Sequence, residues 1–402
     1  MNKVLHGWRR LAAGVAGALL LATAAGAHAQ PDTIRIGVAT AGGGDPITWG
    51  GSPGSVARVN RWLEEAFAAS GVKVEWLFFK GAGPAVNEAL SNRQIDFAYQ
   101  GDLPSVVGRA NGLDTRLLLV SGARNNLYVA VPAASPLKSV DDLKGHTVAL
   151  FRGTNGHLVA INVLAARKLA ERDLKIVNLD TGSAQAAIVS NGVEAAFGGI
   201  EYFKLRDQGL VKLIYSTQKE SPAYTRQAAL LVRGAFAQAY PAATQQVVDG
   251  FVRAARWASD EANRDALFKL WARSGIPYDS FKAEFQDQAL RTRNSPLVDP
   301  FIIGRYKAVV ADALKQRLIR REVSVDDWFD TRFLEQSLKN QGLTGYWVRY
   351  AADGVTPLDK DAAAASAGHG AAAAKPADAR AGTAGAATGA AAIAATSGTI
   401  RP

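Results

Sequence analysis

Cysteine is absent from the chain, which removes disulfides, thiol nucleophiles and a lipid-modified cysteine anchor. Histidine is scarce. Only His146, His157 and His369 follow the first thirty residues, and no His/Cys group has metal-ligand spacing, so no metal or cofactor is expected. There is no run of Lys/Arg interleaved with aromatics, which speaks against nucleic acid as a partner. No G-x-x-x-x-G-K-[ST] occurs, and "GVATAGGGD" lacks the order and the acid of a dinucleotide fingerprint. One G-x-S-x-G match runs from Gly50 to Gly54, but it lies in a long Gly/Pro loop. A nucleophile elbow needs its serine on a tight turn directly after a strand. Ser52 is therefore read as a loop residue, and the chain as no enzyme. After the N-terminus, no stretch is long and apolar enough to cross a bilayer.

What is present begins with an address. Lys3, Arg9 and Arg10 precede an apolar run from Leu11 to Ala25, and Ala27 and Ala29 flank His28. That order predicts a signal peptide, residues 1–29, cleaved after Ala29. The apolar run is short for a membrane span. An exported chain without cysteine reads as periplasmic. The formal charge is +10; less the 3 charges of the leader it is +7, which suits anionic ligands without selecting one. A hydrophobic content of 48% and 402 residues are enough for two cored domains. From residue 357 the chain becomes Ala/Gly with scattered small polar residues, as in "AAAASAGHGAAAA". It has almost no large apolar side chains to bury, so 357–402 is expected to be a disordered tail.

Between leader and tail, strands alternate with helices. "TIRIGVAT" places Ile34, Ile36 and Val38 on a period of two. "SVARVNRWLEEAFAASG" puts Val56, Val59, Leu63 and Phe67 on one stripe, capped by Ser55 and ended by Gly71. Further strands are read at "VKVEWLFF", "IDFAY", "NNLYVAVP", "HTVALF", "KIVNL", "VEAAFGG" and "QAALLVRG". This alternation predicts α/β architecture with parallel sheets. Ligands of such sheets sit at the carboxyl ends of the strands. The turn in "FAYQGDLPSVV" is one such loop, with Asp102 as helix cap and Pro104 in the first turn.

Three stretches in this order carry a resemblance: "FAYQGDLPSVV", "SVDDLKGHTVALFRGTNGHLVAINVLA" and "SAQAAIVSNGVEAAF". The chain resembles the periplasmic substrate-binding proteins of ABC importers for aliphatic sulfonates, nitrate and taurine, over about Thr33 to Trp347. The resemblance implies a two-lobed type II periplasmic binding protein fold with the ligand in the inter-lobe cleft. Lobe 1 would be 31–126 plus 227–356, and lobe 2 would be 127–226. It implies a monomer that closes on a small anion or zwitterion and engages a membrane ABC permease. Two loops depart from the family's pattern. Many members carry an aromatic-Asp-Pro stretch where this chain has Gly199, Ile200, Glu201 and Tyr202, and the first loop is long and Gly-rich.

Candidate ligand contacts follow from the strand-end loops. Backbone N–H groups near Gly43 and Gly44, from Gln100 through Gly101 and Asp102 to Ser105, and from Gly153 through Thr154 to Asn155 would face an anion. Arg124 and Arg152 are the candidate charged donors, each with a solvated or hinge position as the alternative. Asp102 is read as a cap before a contact, and His157 as a helix-start residue beside the ligand loop. Glu201 is a surface residue or, facing the cleft, a partner for the ammonium of an aminosulfonate. Trp49 is a wall for a carbon chain or a loop anchor. The expected function is capture of an aliphatic or taurine-like sulfonate for an importer. The alternatives are nitrate or another oxyanion, a sulfate ester, a thiamine-precursor pyrimidine, or a ligand-presenting sensor component.

Overall fold

The computed structural model describes residues 30–359. The predicted leader and residues 360–402 of the predicted tail lie outside the described residues. Two five-stranded sheets form the frame. The first contains β1 (Thr33–Val38), β2 (Lys73–Phe78), β3 (Phe97–Gly101), β4 (Thr115–Val120) and, much later, β10 (Ala228–Arg233). The second contains β5 (Tyr128–Pro132), β6 (Thr147–Leu150), β7 (Lys175–Asn178), β8 (Ala195–Gly198) and β9 (Val211–Ser216). Their orders are β2-β1-β3-β10-β4 and β7-β6-β8-β5-β9, so the same topology is used twice.

The expectation of parallel sheets needs correction. β1 pairs in parallel with β2 and β3, and β6 with β7 and β8. β10, however, is antiparallel to β3 and β4, and β5 is antiparallel to β8 and β9. Each reversed strand is the first one laid down after the chain crosses between sheets. It arrives from the far side and enters the sheet against the grain. The two crossings touch at an antiparallel bridge between Asn125 and Arg226.

β4 and β9 are absent from the sequence reading. "TRLLLV" is buried from Leu117 to Val120 and shows no alternation, so its apolar run has no strand signature. It forms the end of its sheet, and its exposed edge is covered: Leu117 donates to the Trp328 carbonyl and accepts from the Asp330 N–H, which protects an edge from stray pairing. The first predicted helix is also two. Ser52, rather than Ser55, caps Pro53–Val59, its Oγ accepting from the Gly54 N–H. Arg61 then adopts a left-handed φ of 56°, and Trp62–Phe67 begins as a separate helix.

The C-terminal third returns to the first sheet and covers both faces. Helix Pro300–Lys315 seats Tyr306, Val309, Val310 and Ala313 with Trp328 against Leu103, Val106 and Leu117. Trp347 and Leu334 join Ile34, Ile36 and Leu230 on the opposite face. Pro357 to Asp359, assigned above to the tail, are tied down instead. Pro357 bridges Tyr350, Leu358 donates to the Arg349 carbonyl, and Asp359 accepts from the Arg349 N–H.

Candidate functional site

A cavity of about 620 Å³ opens between the carboxyl ends of the two sheets. The loops after β1, β2 and β3 line it from one side, and those after β6, β7 and β8 from the other. Its floor is made by the crossings. Asn125, Leu127, Arg226 and Ala228 face the cavity, whereas Arg124, Asn126 and Thr225 face a smaller hollow of about 250 Å³ behind them. From Asn125 to Leu127 that is the alternation of extended backbone, and Arg124 bends away before it at a left-handed φ of 57°.

Arg226 is the charged group that the crossings place on this floor, with the Glu284–Arg293 ion pair beside it on the cavity lining. Its Nη2 donates to the Asn126 carbonyl, and its Nε is buried without a partner. Nη1 lies beside Gly156, at the start of helix Asn155–Ala166. The first N–H groups of a helix have no intrahelical acceptors, so guanidinium and helix dipole offer donors to one spot. Thr154 caps that helix, accepting from the His157 N–H, and Asn155 Nδ2 donates to the Gln227 carbonyl at 3.3 Å. Glu201 accepts from the Gly199 N–H through Oε1 at 2.7 Å. Its Oε2 and Arg226 Nη2 both stand beside Gly199. Lys80 reaches from the first lobe to Asp180 of the second at 3.6 Å, across the cavity's edge.

Of the candidates named from sequence, Trp49, Gln100, Gly101, Thr154, Asn155 and Glu201 line the cavity. Gly101 is glycine for a spatial reason: a Cβ there would strike Asn155 from the opposite lobe. The rest are placed elsewhere. Gly43 and Gly44 lean on the carbonyls of Ser274 and Arg273, and Gly43 pairs with Thr48 in a small hairpin. Ser105 is buried, with Oγ donating back to the Gly101 carbonyl. Arg124 stacks over Phe301 and Tyr350, with ring centroids 4.6 and 4.7 Å away. Arg152 is on the surface and pairs with Glu171 at 3.3 Å. Gly153, at a φ of +77°, turns its N–H to His157 Nδ1. His157 is buried under its helix, its Nε2 at 3.2 Å from Glu171. Ser105, Gly153 and His157 thus spend their polar groups on neighbours within the protein.

Asp102 belongs to the same correction: Gly101 is the N-cap, and Asp102 is the first residue of helix Asp102–Ala110. It is buried; Oδ1 accepts from the Leu103 N–H and Oδ2 from the Gln227 N–H, so it ties the second crossing to the first lobe. Burial pushes its carboxyl up to about 6, against the pull of the Leu103 N–H, Arg305 and Arg226. The native state therefore holds this proton more tightly than the unfolded chain does. Its contribution to stability is full below about pH 4 and is lost as pH rises to about 6, by roughly 2–3 kcal/mol. Urea midpoints of the parent minus those of Asp102→Asn, taken from pH 4 to 7, are expected to fall over that window. A difference that stays flat would place the carboxyl near its ordinary value.

Sequence reasoning missed Arg226, Asn125, Lys80, Asp180 and the loop Ser274 to Pro277, all on the cavity wall. The pyrimidine alternative asked Trp49 for a free ring face. Trp49 is 5% exposed and packed on Trp76, Phe78 and Tyr99, at centroid distances of 5.8, 5.9 and 5.3 Å.

Two sheets of repeated topology, two crossings and a cleft floored by them define a two-lobed solute-binding protein. Residues 66–264 match the family described as NMT1/THI5 like. A solved periplasmic sulfonate-binding protein, SsuA, of a sulfonate ABC transporter from Methylobacillus flagellatus KT is 30% identical, with a TM-score of 0.69. The match covers 79% of this chain and 97% of that one. A protein of Bacillus subtilis (strain 168) named for aliphatic sulfonate binding is 25% identical over 329 residues, 80% of this chain and 93% of its own. Another of that name, from Escherichia coli (strain K12), is 33% identical over 184 residues, 45% of this chain and 54% of its own. The chain belongs to the family of periplasmic sulfonate-binding proteins of ABC importers, and it is a binding protein rather than an enzyme.

Proposed function

We propose that the protein is the periplasmic receptor of an ABC importer, exported by cleavage after Ala29, and that it captures an organosulfonate between lobes 31–126 plus 227–356 and 127–226. The observation that carries this reading is Arg226, with a buried, unpartnered Nε on the cavity floor beside a helix N-terminus. A sulfonate has three acceptor oxygens and one negative charge, which matches a guanidinium supplemented by neutral donors. Asn155, Thr154 and Gln100 are the neighbouring polar side chains of the proposed site. Glu201 Oε2, beside the same guanidinium, favours a monoanion over a dianion such as sulfate. Lobe closure around the ligand, as a monomer, presents the surface that a permease reads.

Melting of the purified protein against ethanesulfonate, taurine, sulfate, nitrate and a pyrimidine tests the reading. A ligand at about 100 times its dissociation constant adds about 2.7 kcal/mol of stability. Stabilisation by the sulfonates, and not by sulfate or nitrate, is the expected result. Stabilisation by nitrate alone would replace the sulfonate with a smaller oxyanion.

A further inference from the structure

The geometry points to a ring-sized apolar body on the ligand, and we infer that the arylsulfonates are the substrate class this cleft is shaped for. The inference rests on the sulfonate reading above and adds what the other half of the cavity does. Arg226 and the first turn of helix Asn155–Ala166 occupy one part of the wall. Much of the rest is apolar: Trp49, Ile276, Pro277 and Phe285 from the first lobe, and Phe151 and Ile200 from the second. A cavity of about 620 Å³ falls within the range of about 300–1,000 Å³ that holds drug-sized organic ligands. A sulfonate on two carbons leaves most of it to water.

The apolar wall is rigid, and it joins the lobes. Trp49 is wedged among three aromatic rings, and aromatic clusters of this kind fix a ring's plane. Ile200 projects from the second lobe and packs on the first-lobe cluster of Trp271, Phe281, Phe285 and Leu290, with Ile276 at its margin. An aromatic ring bound between Ile276, Pro277 and Ile200 would bury its surface against both lobes at once. Burial then adds directly to closure, because only the closed arrangement brings both walls to the ring. The sulfonate end sets where the ligand sits, and the ring end sets how tightly the lobes hold it.

The test is calorimetric titration of the exported full-length protein with ethanesulfonate, hexanesulfonate, benzenesulfonate and 2-naphthalenesulfonate. Each methylene-sized piece of apolar surface taken from water is worth about a fourfold gain in affinity. Naphthalenesulfonate is expected to bind at least 100-fold more tightly than ethanesulfonate, and more tightly than the flexible hexyl chain. Ile200→Ala gives up lobe-to-lobe packing for every ligand, and it is expected to weaken the naphthyl ligand at least fivefold more than ethanesulfonate. Urea unfolding of this variant checks that it is folded. Equal affinity across the series, or a preference for ethanesulfonate, overturns the aryl assignment and leaves sulfonate capture standing. An equal loss of all four ligands in Ile200→Ala removes Ile200 from the ring wall and overturns the two-lobe packing argument. Failure of every sulfonate to bind overturns the underlying reading, and this one with it.

Discussion

Replacing Arg226 with methionine is expected to cut sulfonate affinity about 100-fold while changing the stability of the unliganded protein by about 1 kcal/mol or less. The asymmetry follows from what the guanidinium does in each state. Without ligand, its Nε is buried and unpartnered, so its desolvation is uncompensated. Its one strong contact is the bond to the Asn126 carbonyl. Methionine gives up that bond, worth about 1 kcal/mol, and relieves the buried charge. With ligand, the guanidinium makes charge-assisted bonds of about 1.5–3 kcal/mol each, and these disappear. Arg226→Lys keeps the charge and loses the planar fork, so it should recover only part of the affinity. Titration calorimetry on the three proteins, beside their urea midpoints, reads both quantities. A loss smaller than about fivefold would show that the anion is held elsewhere.

Arg226 also shows where a sequence stops being informative. The strand-end rule placed the loops correctly around a cleft, because Ile34, Ile36 and Val38 alternate so clearly that the end of β1 is visible. It could not say which residues of the crossings point inward. Arg124 and Arg226 are both single arginines in such segments. The bridge between Asn125 and Arg226 fixes the inward face, and Arg124 bends out of line just before it at a left-handed φ of 57°. Arg124 falls on the back, over Phe301 and Tyr350. The reversed strands β5 and β10 were hidden for a related reason. Strand pairing is chosen by partners about a hundred residues away, and local pattern carries only the strand itself.

Polar residues in the loops mislead in a second way. Asp102, Ser105 and His157 sit at helix starts, where donors and acceptors are in demand whether or not a ligand exists. Each is already satisfied: Asp102 by Leu103 and Gln227, Ser105 by Gly101, and His157 by Gly153 and Glu171. Glu201, by contrast, uses one oxygen on the Gly199 N–H and lines the cavity. The distinction is burial with or without a free atom, and sequence does not record it.

The second large effect is expected from Glu284→Ala, which should destabilise the protein by about 3–5 kcal/mol. Glu284 is buried at the end of helix Tyr278–Glu284 in the first lobe. Its Oε1 accepts from Arg293 Nη2 at 2.9 Å, from Asn126 Nδ2 at 3.0 Å and from the Asn126 N–H at 3.2 Å. Its Oε2 accepts from the Tyr128 hydroxyl on β5. Burial and the neighbouring carboxylate keep that phenol protonated far above its ordinary range, so it remains a donor throughout the working pH. One side chain thus holds the first crossing, a second-lobe strand and a buried arginine. Removing it leaves Arg293 buried and without its carboxylate, and breaking a buried pair costs about 3–5 kcal/mol for that reason. Removing both charges avoids the orphan. A Glu284→Met and Arg293→Met double variant should recover more than half of the loss, since well-packed apolar replacements of buried pairs are often neutral. Urea unfolding of both variants, followed by near-UV circular dichroism, measures the difference. A single-variant loss below about 1 kcal/mol would mean that the carboxylate is dispensable at the hinge. A double variant as unstable as the single one would assign the cost to the Tyr128 and Asn126 bonds, which tie the two lobes together.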